Sequence, residues 1–526
     1  MKRRHFLGLT GAGLATAAFG GLAGCAQDSP AGQTAQLLHS TANLPRPYRT
    51  PLPIPAVKKP SGHGDGVTRY EIEQVEAQVE ILPGLRTTIM GYDGVFPGPT
   101  IEARRGERIS VRHRNRLSVP TVVHLHGGNT AAASDGYAVD LLLPTEGADR
   151  FLPGHQGHGE HGNGHGSMLG DLSHGERDYR YDHDQQAATL WYHDHRMDFT
   201  GPQVWRGLAG FHLIRDEDEE RLGLPSGDRE IPLMITDRSF AEDGSFRYPA
   251  ADPDLVDEPG VTGKFHSGVL GDVILVNGAP WPELEVEATR YRFRILNGSN
   301  ARRYQLTLDP PPSGGPRFRQ IGSDGGLLPA PVDRQTLTIA AAERYDVVID
   351  FSGYPVGSTV VLGNAFGRDG TAQVMRFRVV RKAADDSQVP DRLVDFEPLS
   401  HPARPAREWR FTRKPGDGPM MWAINGRYFD PDRADARIDL GRTEVWRFYT
   451  DLHHPVHVHL SPFQVISRNG RPVDAAELGW KDTLDLLPTE YADVAIRFEH
   501  HRGRYMLHCH NLEHEDMGMM AAFDVV

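Results

Sequence analysis

Cysteine is nearly absent. Only Cys25 and Cys509 occur in 526 residues, so a disulfide framework does not organise this chain. A basic block is missing too. The 57 Lys and Arg are scattered along the chain against 70 Asp and Glu, for a net charge of −13. An acidic chain without a basic stripe is a poor nucleic-acid binder, and no such partner is expected. Past Cys25 there is no apolar run long enough to cross a bilayer. The composition, 39% hydrophobic and 24% charged, excludes both a disordered tail and a fibre. What is plentiful is Gly (57), Pro (39) and His (26). Gly and Pro at this level favour a turn-rich β protein over a helical bundle. The histidines call for a separate explanation.

The first 25 residues read as a targeting segment rather than fold. Arg3-Arg4 followed by His5-Phe6-Leu7 and a weakly apolar stretch from Gly8 to Gly24 is the pattern of a twin-arginine (Tat) signal. It ends in Leu22-Ala23-Gly24-Cys25, similar to a bacterial lipobox. The expectation is an exported protein, periplasmic or at the cell surface, touching the membrane only through a lipid anchor at Cys25. Cys509 is then a free thiol in an exported protein, which asks for a metal or catalytic role.

Residues 26–66, rich in Pro, Gly, Ala and Ser, read as a linker. Beyond them short β-prone runs alternate with turn signals, as in Ile109–His113, Tyr291–Ile295 and 336–339. Apolar and polar residues alternating along such runs predict half-buried strands of sandwich sheets. A charged stretch at 216–223 and a polar, Pro-containing one at 382–407 divide the chain into an all-β fold of three sandwiches, at 67–220, 228–382 and 405–526. The segment 154–175, with His155, His158, His161, His165 and His174 among Gly and Ser, cannot build a core and reads as a loop.

Four other histidine clusters stand apart: His124-Leu-His126, His193-Asp-His195, His454-Pro-Val-His457-Val-His459, and His508-Cys509-His510 with His514. Residues i and i+2 of a strand share a face, so each His-x-His presents two imidazoles to one side. In the fourth cluster Cys509 points opposite to His508 and His510. One strand can therefore reach two metal sites. Cys509, His514 five residues on, Met519 ten residues on, and His454 make a thiolate, two imidazoles and a weak thioether, the donor set of a blue-copper electron-transfer site. The remaining eight imidazoles suit a multinuclear copper centre with open positions. Structural zinc prefers closed sets of four Cys and His, and this inventory does not divide that way.

With these motifs in view, the chain resembles the three-domain bacterial multicopper oxidases: spore-coat laccase, copper efflux oxidase, bilirubin oxidase and phenoxazinone synthase. The resemblance rests on Phe96-Pro-Gly-Pro-Thr-Ile101, the four clusters, Tyr291–Leu306 with Leu296-Asn-Gly-Ser-Asn-Ala-Arg302, and the chain from Trp480 onward. It implies three cupredoxin-like Greek-key sandwiches and four copper ions. A type 1 copper would take His454, Cys509, His514 and Met519. A type 2 copper would take His124 and His457. A type 3 pair would take His126, His193, His195, His459, His508 and His510. Asp135 and Glu515 fall where that family keeps its proton donors. The implied reaction joins one-electron oxidation of phenols or aminophenols to reduction of dioxygen to water. The alternative is a metallo-oxidase acting on cuprous ion, Mn or Fe in copper tolerance. A copper store would need the ligands but neither the Cys509 bridge nor the two acids. Only 12 Met occur, clustered nowhere but at 517–520, which weakens the cuprous reading. Asp194, His453, Trp191, Tyr192, Met517 and Met520 are expected to be structural, and the protein a monomer.

Overall fold

The computed structural model describes residues 34–152, 170–414 and 420–526. The expected leader, Cys25 and His155, His158, His161 and His165 of the His-rich segment lie outside the described residues. No described helix is long and apolar enough to cross a membrane.

Six main sheets pair into three sandwiches in chain order. The first joins a five-stranded sheet to a four-stranded one, the second an eight-stranded to a five-stranded, and the third a six-stranded to a five-stranded. Ile109–Asn115 shows why strands form: Ile109, Val111 and His113 are buried on one face, with Ser110, Arg112 and Arg114 on the other, the period of two that a one-sided sheet requires. Each sandwich closes over its own apolar core, and each fully buried Leu, Ile, Val or Phe contributes about 1.5–3 kcal/mol.

Two readings change. The strand Arg290–Asn297 alternates as expected, but its polar face is not in water: Arg292 and Arg294 are 2% and 1% exposed. That face meets the first sandwich at Glu219 and Thr189, and Glu219 together with Glu230 and Asp346 of the second sandwich pairs with the two guanidiniums. Alternation reports two unlike faces, and here the second is an ionic interface rather than a solvated surface. Residues 34–66, expected to act as a linker, lie pinned along the body instead. Gln36–Leu38 pairs in parallel with Val269–Gly271, the Ser40 hydroxyl and N–H bond Asp272, and Pro51 and Val57 bridge to Glu283 and Thr100. The prolines lack an N–H, yet the intervening residues supply enough donors to fasten the strap.

The second sandwich contributes no histidine of the four clusters. The four-stranded sheet of the first sandwich and the five-stranded sheet of the third bring their His-bearing strands together at one interface.

Candidate metal centre

The register of two strand pairs builds the centre. Val123–His126 runs antiparallel to Ala188–Asp194 with His124 opposite His193. His454–Val458 runs antiparallel to Gly503–Cys509 with His457 opposite His508. Directly opposed residues share a face at close range. Each sandwich thus offers its own bank of imidazoles, and the two banks meet. All eight are 1% exposed or less.

Their ring nitrogens sort into sets whose atoms lie within 4.8 Å of one another: His124, His126 and His457; His126, His193 and His510; His195, His459 and His508. In the last set His195 Nε2 and His459 Nε2 each lie 3.2 Å from His508 Nε2. His124 Nε2 lies 3.4 Å from His457 Nε2. The outward nitrogens are tied elsewhere: His124 Nδ1 to the Asp135 carbonyl at 2.5 Å, His193 Nδ1 to the Asp194 carbonyl at 2.8 Å, His457 Nδ1 to the Asp482 carbonyl at 2.9 Å. Such partners fix which nitrogen is free to ligate.

A fourth set stands apart: His454, Cys509 and His514. Cys509 Sγ is 3.4 Å from His454 Nδ1 and 3.6 Å from His514 Nδ1. Met519 is wholly buried, and its backbone bonds both partners: its carbonyl accepts from Cys509 N at 3.1 Å, and its N–H donates to the His514 carbonyl at 3.0 Å. Trp422 stacks on His514 with ring centroids 3.8 Å apart.

These residues fit metal. Burial pushes His193 down to about 3 and His195 to about 4, and draws His124, His126, His454, His457, His459, His510 and His514 below their ordinary value. They are neutral at physiological pH, the form that ligates. His126 Nδ1, His193 Nε2 and both nitrogens of His510 are buried with no hydrogen-bond partner. Each such orphan costs about 1–3 kcal/mol, and the three rings belong to one set, so one cation would satisfy one nitrogen of each. Burial also raises the Cys509 thiol; a soft cation would draw its proton off.

Both expected acids lie at the centre. Asp135, in the one-turn helix Ala132–Asp135, sets Oδ2 2.7 Å from His459 Nδ1. Burial raises its carboxyl. Glu515, on the helix Leu512–Asp516, sets Oε2 2.9 Å from His508 Nδ1 and Oε1 3.7 Å from His195 Nδ1. Burial would raise this carboxyl too, but the facing His195 and His508 outweigh it and lower it. Both acids therefore serve the same set of three imidazoles.

The residues expected to be structural are buried. Asp194 accepts from Val122 N, Arg196 N and Gln203 Nε2. His453 bonds Asp485 at 2.8 Å. Sequence reasoning passed over three others. Asp451 sits 3.0 Å from His454 Nε2; its place three residues before that histidine was a usable signal. Asp482 sits 3.0 Å from His126 Nε2, which nothing local announces. Met420 packs on Gly518, where an added Cβ would come within 2.9 Å of its Cε. The methionines at 517–520 thus gain a neighbour about a hundred residues away in the chain.

Comparison with known proteins gives concordant matches. Two profiles described as multicopper oxidase match residues 401–526 and residues 74–146 with 167–219. A laccase of Bacillus subtilis is 36% identical, over 90% of this chain and 97% of that protein. A bilirubin oxidase of Albifimbria verrucaria is 37% identical, over 91% of this chain and 81% of that protein. The crystal structure of a multicopper oxidase from Pediococcus acidilactici superposes with a TM-score of 0.78 at 30% identity, covering 93% of each chain.

Proposed function

The chain belongs to the multicopper oxidase family, an oxidoreductase built of three cupredoxin-like sandwiches, and from that premise we propose a laccase-like oxidase of phenols and aminophenols. Its reaction removes one electron from each of four substrate molecules and reduces one dioxygen, with four protons, to two waters. The observation that carries this reading is the sorting of ten buried imidazoles and one thiol into four compact sets.

Four copper ions, when bound, supply the electron storage and the oxygen chemistry. His454, Cys509, His514 and Met519 would hold the type 1 ion. His124 and His457 would hold the type 2 ion. His126, His193 and His510, with His195, His459 and His508, would hold the type 3 pair. Cys509 is joined by backbone to His508 and His510, so a few covalent bonds link the thiolate set to the imidazole sets. Depth excludes bulk water from the imidazole sets, which limits side reactions. Asp135 Oδ2 accepts from His459 Nδ1 and so orients that ring, leaving its Nε2 free to ligate. Glu515, with its carboxylate facing His508 and His195, relays protons inward.

Export through the Arg3-Arg4 leader and anchoring at Cys25 belong to the same proposal. Ala35 and Asn511 both crowd Gly268, and Asn511 Nδ2 lies 3.3 Å from His514 Nε2. The ten residues from Cys25 to Ala35 span at most about 35 Å, so an anchor there would hold the type 1 side near the membrane.

A cuprous-oxidising role is the second reading. Met420 against Gly518, with Met517 and Met519 alongside, gathers soft thioethers near the type 1 set. Oxygen uptake by the copper-loaded protein, with a methoxyphenol and with stabilised cuprous ion in parallel, separates the two. Faster uptake with the phenol supports the first reading and faster uptake with cuprous ion the second. No uptake with either sinks both.

A further inference from the structure

The second sandwich supplies no metal-ligand candidate, yet one of its side chains reaches the centre. We propose that Arg344 and Asp482 form a positioning device by which the second sandwich sets the orientation and tautomer of His126. The proposal rests on the ligand assignment above.

Arg344 is fully buried, and all five of its N–H donors are used. Nε–H goes to the Thr189 carbonyl at 2.9 Å. One Nη group bonds Asp482 Oδ1 at 2.7 Å and the Ala342 carbonyl at 3.0 Å. The other bonds Asp482 Oδ2 and the Asp324 carbonyl, the latter at 3.1 Å. A guanidinium offers five donors in a rigid planar fork, so no freedom is left to it. Its acceptors come from all three sandwiches. Thr189 lies on the strand Ala188–Asp194 that carries His193, Asp324 and Ala342 belong to the second sandwich, and Asp482 to the third.

Asp482 is held from its other side as well. The N–H groups of Asp482 and Thr483 both point at Asp324 Oδ2, at 3.3 and 3.2 Å. Lys481 joins Asp324 to Glu343. The backbone leaving His126 presses directly on the pair. Gly127 has φ +85°, and a Cβ there would come within 2.7 Å of an Arg344 Nη and 2.8 Å of Asp482 Oδ2.

The proton on His126 follows from these contacts. His126 Nε2 faces Asp482 Oδ1 at 3.0 Å and Thr483 Oγ1 at 3.1 Å. The Thr483 hydroxyl proton is already given to Asp482 Oδ1, at 2.9 Å. Both neighbours of Nε2 are therefore acceptors, and Nε2 must carry the hydrogen. Nδ1, which has no partner, is left with the lone pair. His126 then offers Nδ1 to the set it forms with His193 and His510. An interdomain ion pair with no other role would leave that choice open.

The test reads the histidine tautomers of the copper-free protein by 15N ring shifts, with copper content and electron paramagnetic resonance after loading. Wild type should show His126 protonated on Nε2. Asp482→Asn, which keeps an acceptor, should preserve that state. Asp482→Leu should lose it and bind the copper of the His126 set about 10–100-fold more weakly, exposing the signal of its unpaired neighbour while the Cys509-dependent blue absorption stays. A wild-type His126 protonated on Nδ1 overturns the proposal. So does a blue Asp482→Leu protein with unchanged copper affinity at that set. If Asp482→Leu fails to fold, the wild-type and Asp482→Asn tautomers decide. A wild type whose His126 set takes no copper at all overturns the ligand assignment along with the inference.

Discussion

Glu219 and Glu230 sit in the interface between the first and second sandwiches and should make it acid-labile. Burial would raise both carboxyls, but Arg294, Arg292 and Arg215 outweigh it and bring each from 4.5 to about 2. The contacts are short: Arg294 Nη to Glu219 Oε1 at 2.7 Å, and Arg215 Nη to Glu230 Oε1 at 2.5 Å. A folded-state pKa below the unfolded one stabilises above the unfolded value, and that stability is lost as pH falls through the folded value. The window is therefore pH 4.5 down to about 2. Each pKa unit is worth ~1.4 kcal/mol, which makes roughly 3 kcal/mol per carboxylate. The pair together contributes less than twice that, because both lean on the same guanidiniums. The assay is urea unfolding of the copper-free protein at steps from pH 5.5 to 2.5, beside a Glu219→Gln, Glu230→Gln variant. Other carboxylates titrate in both proteins and cancel. The variant should be less stable at pH 5.5 and lose markedly less on acidification. Equal losses in the two proteins would refute the reasoning.

Replacing Asp135 by Asn or Glu515 by Gln should leave copper content near wild type and lower oxygen uptake about 10–100-fold; normal turnover of both variants at neutral pH would remove them from proton delivery. Gly127→Ala places a methyl against Arg344 and Asp482 at a left-handed backbone position, so it should lower thermal stability and weaken copper retention together, checked by melting and by dialysis against a chelator. Met420→Leu should reduce cuprous-dependent uptake severalfold while leaving phenol-dependent uptake unchanged, if the thioethers receive cuprous ion.

Much of the centre was legible in the sequence because strands impose short-range rules. His-x-His at i and i+2 must share a face, and Cys509 between two histidines must face away from them. The sets His454, Cys509, His514 and His195, His459, His508 follow that grammar. Asp482 did not, because its partner His126 is 356 residues away and only the meeting of two sandwiches joins them. Arg292 and Arg294 misled for a related reason: a polar stripe on a strand looks alike whether water or another sandwich covers it. The strap at 34–66 looked like a linker because Pro and Gly signal irregular backbone, which can be fastened as firmly as a strand. Met420 was separated in sequence from the methionines it joins, so no window scan would pair them.

The account turns on Cys509 as the thiolate of a copper set distinct from the imidazole sets. The direct measurement is metal content and visible absorption of wild type and Cys509→Ser, both loaded under identical conditions. Four coppers per chain with an intense blue band in the wild type, and three with no blue band in Cys509→Ser, is the predicted result. A blue band that survives in Cys509→Ser, or a wild type that loads without colour, would contradict it.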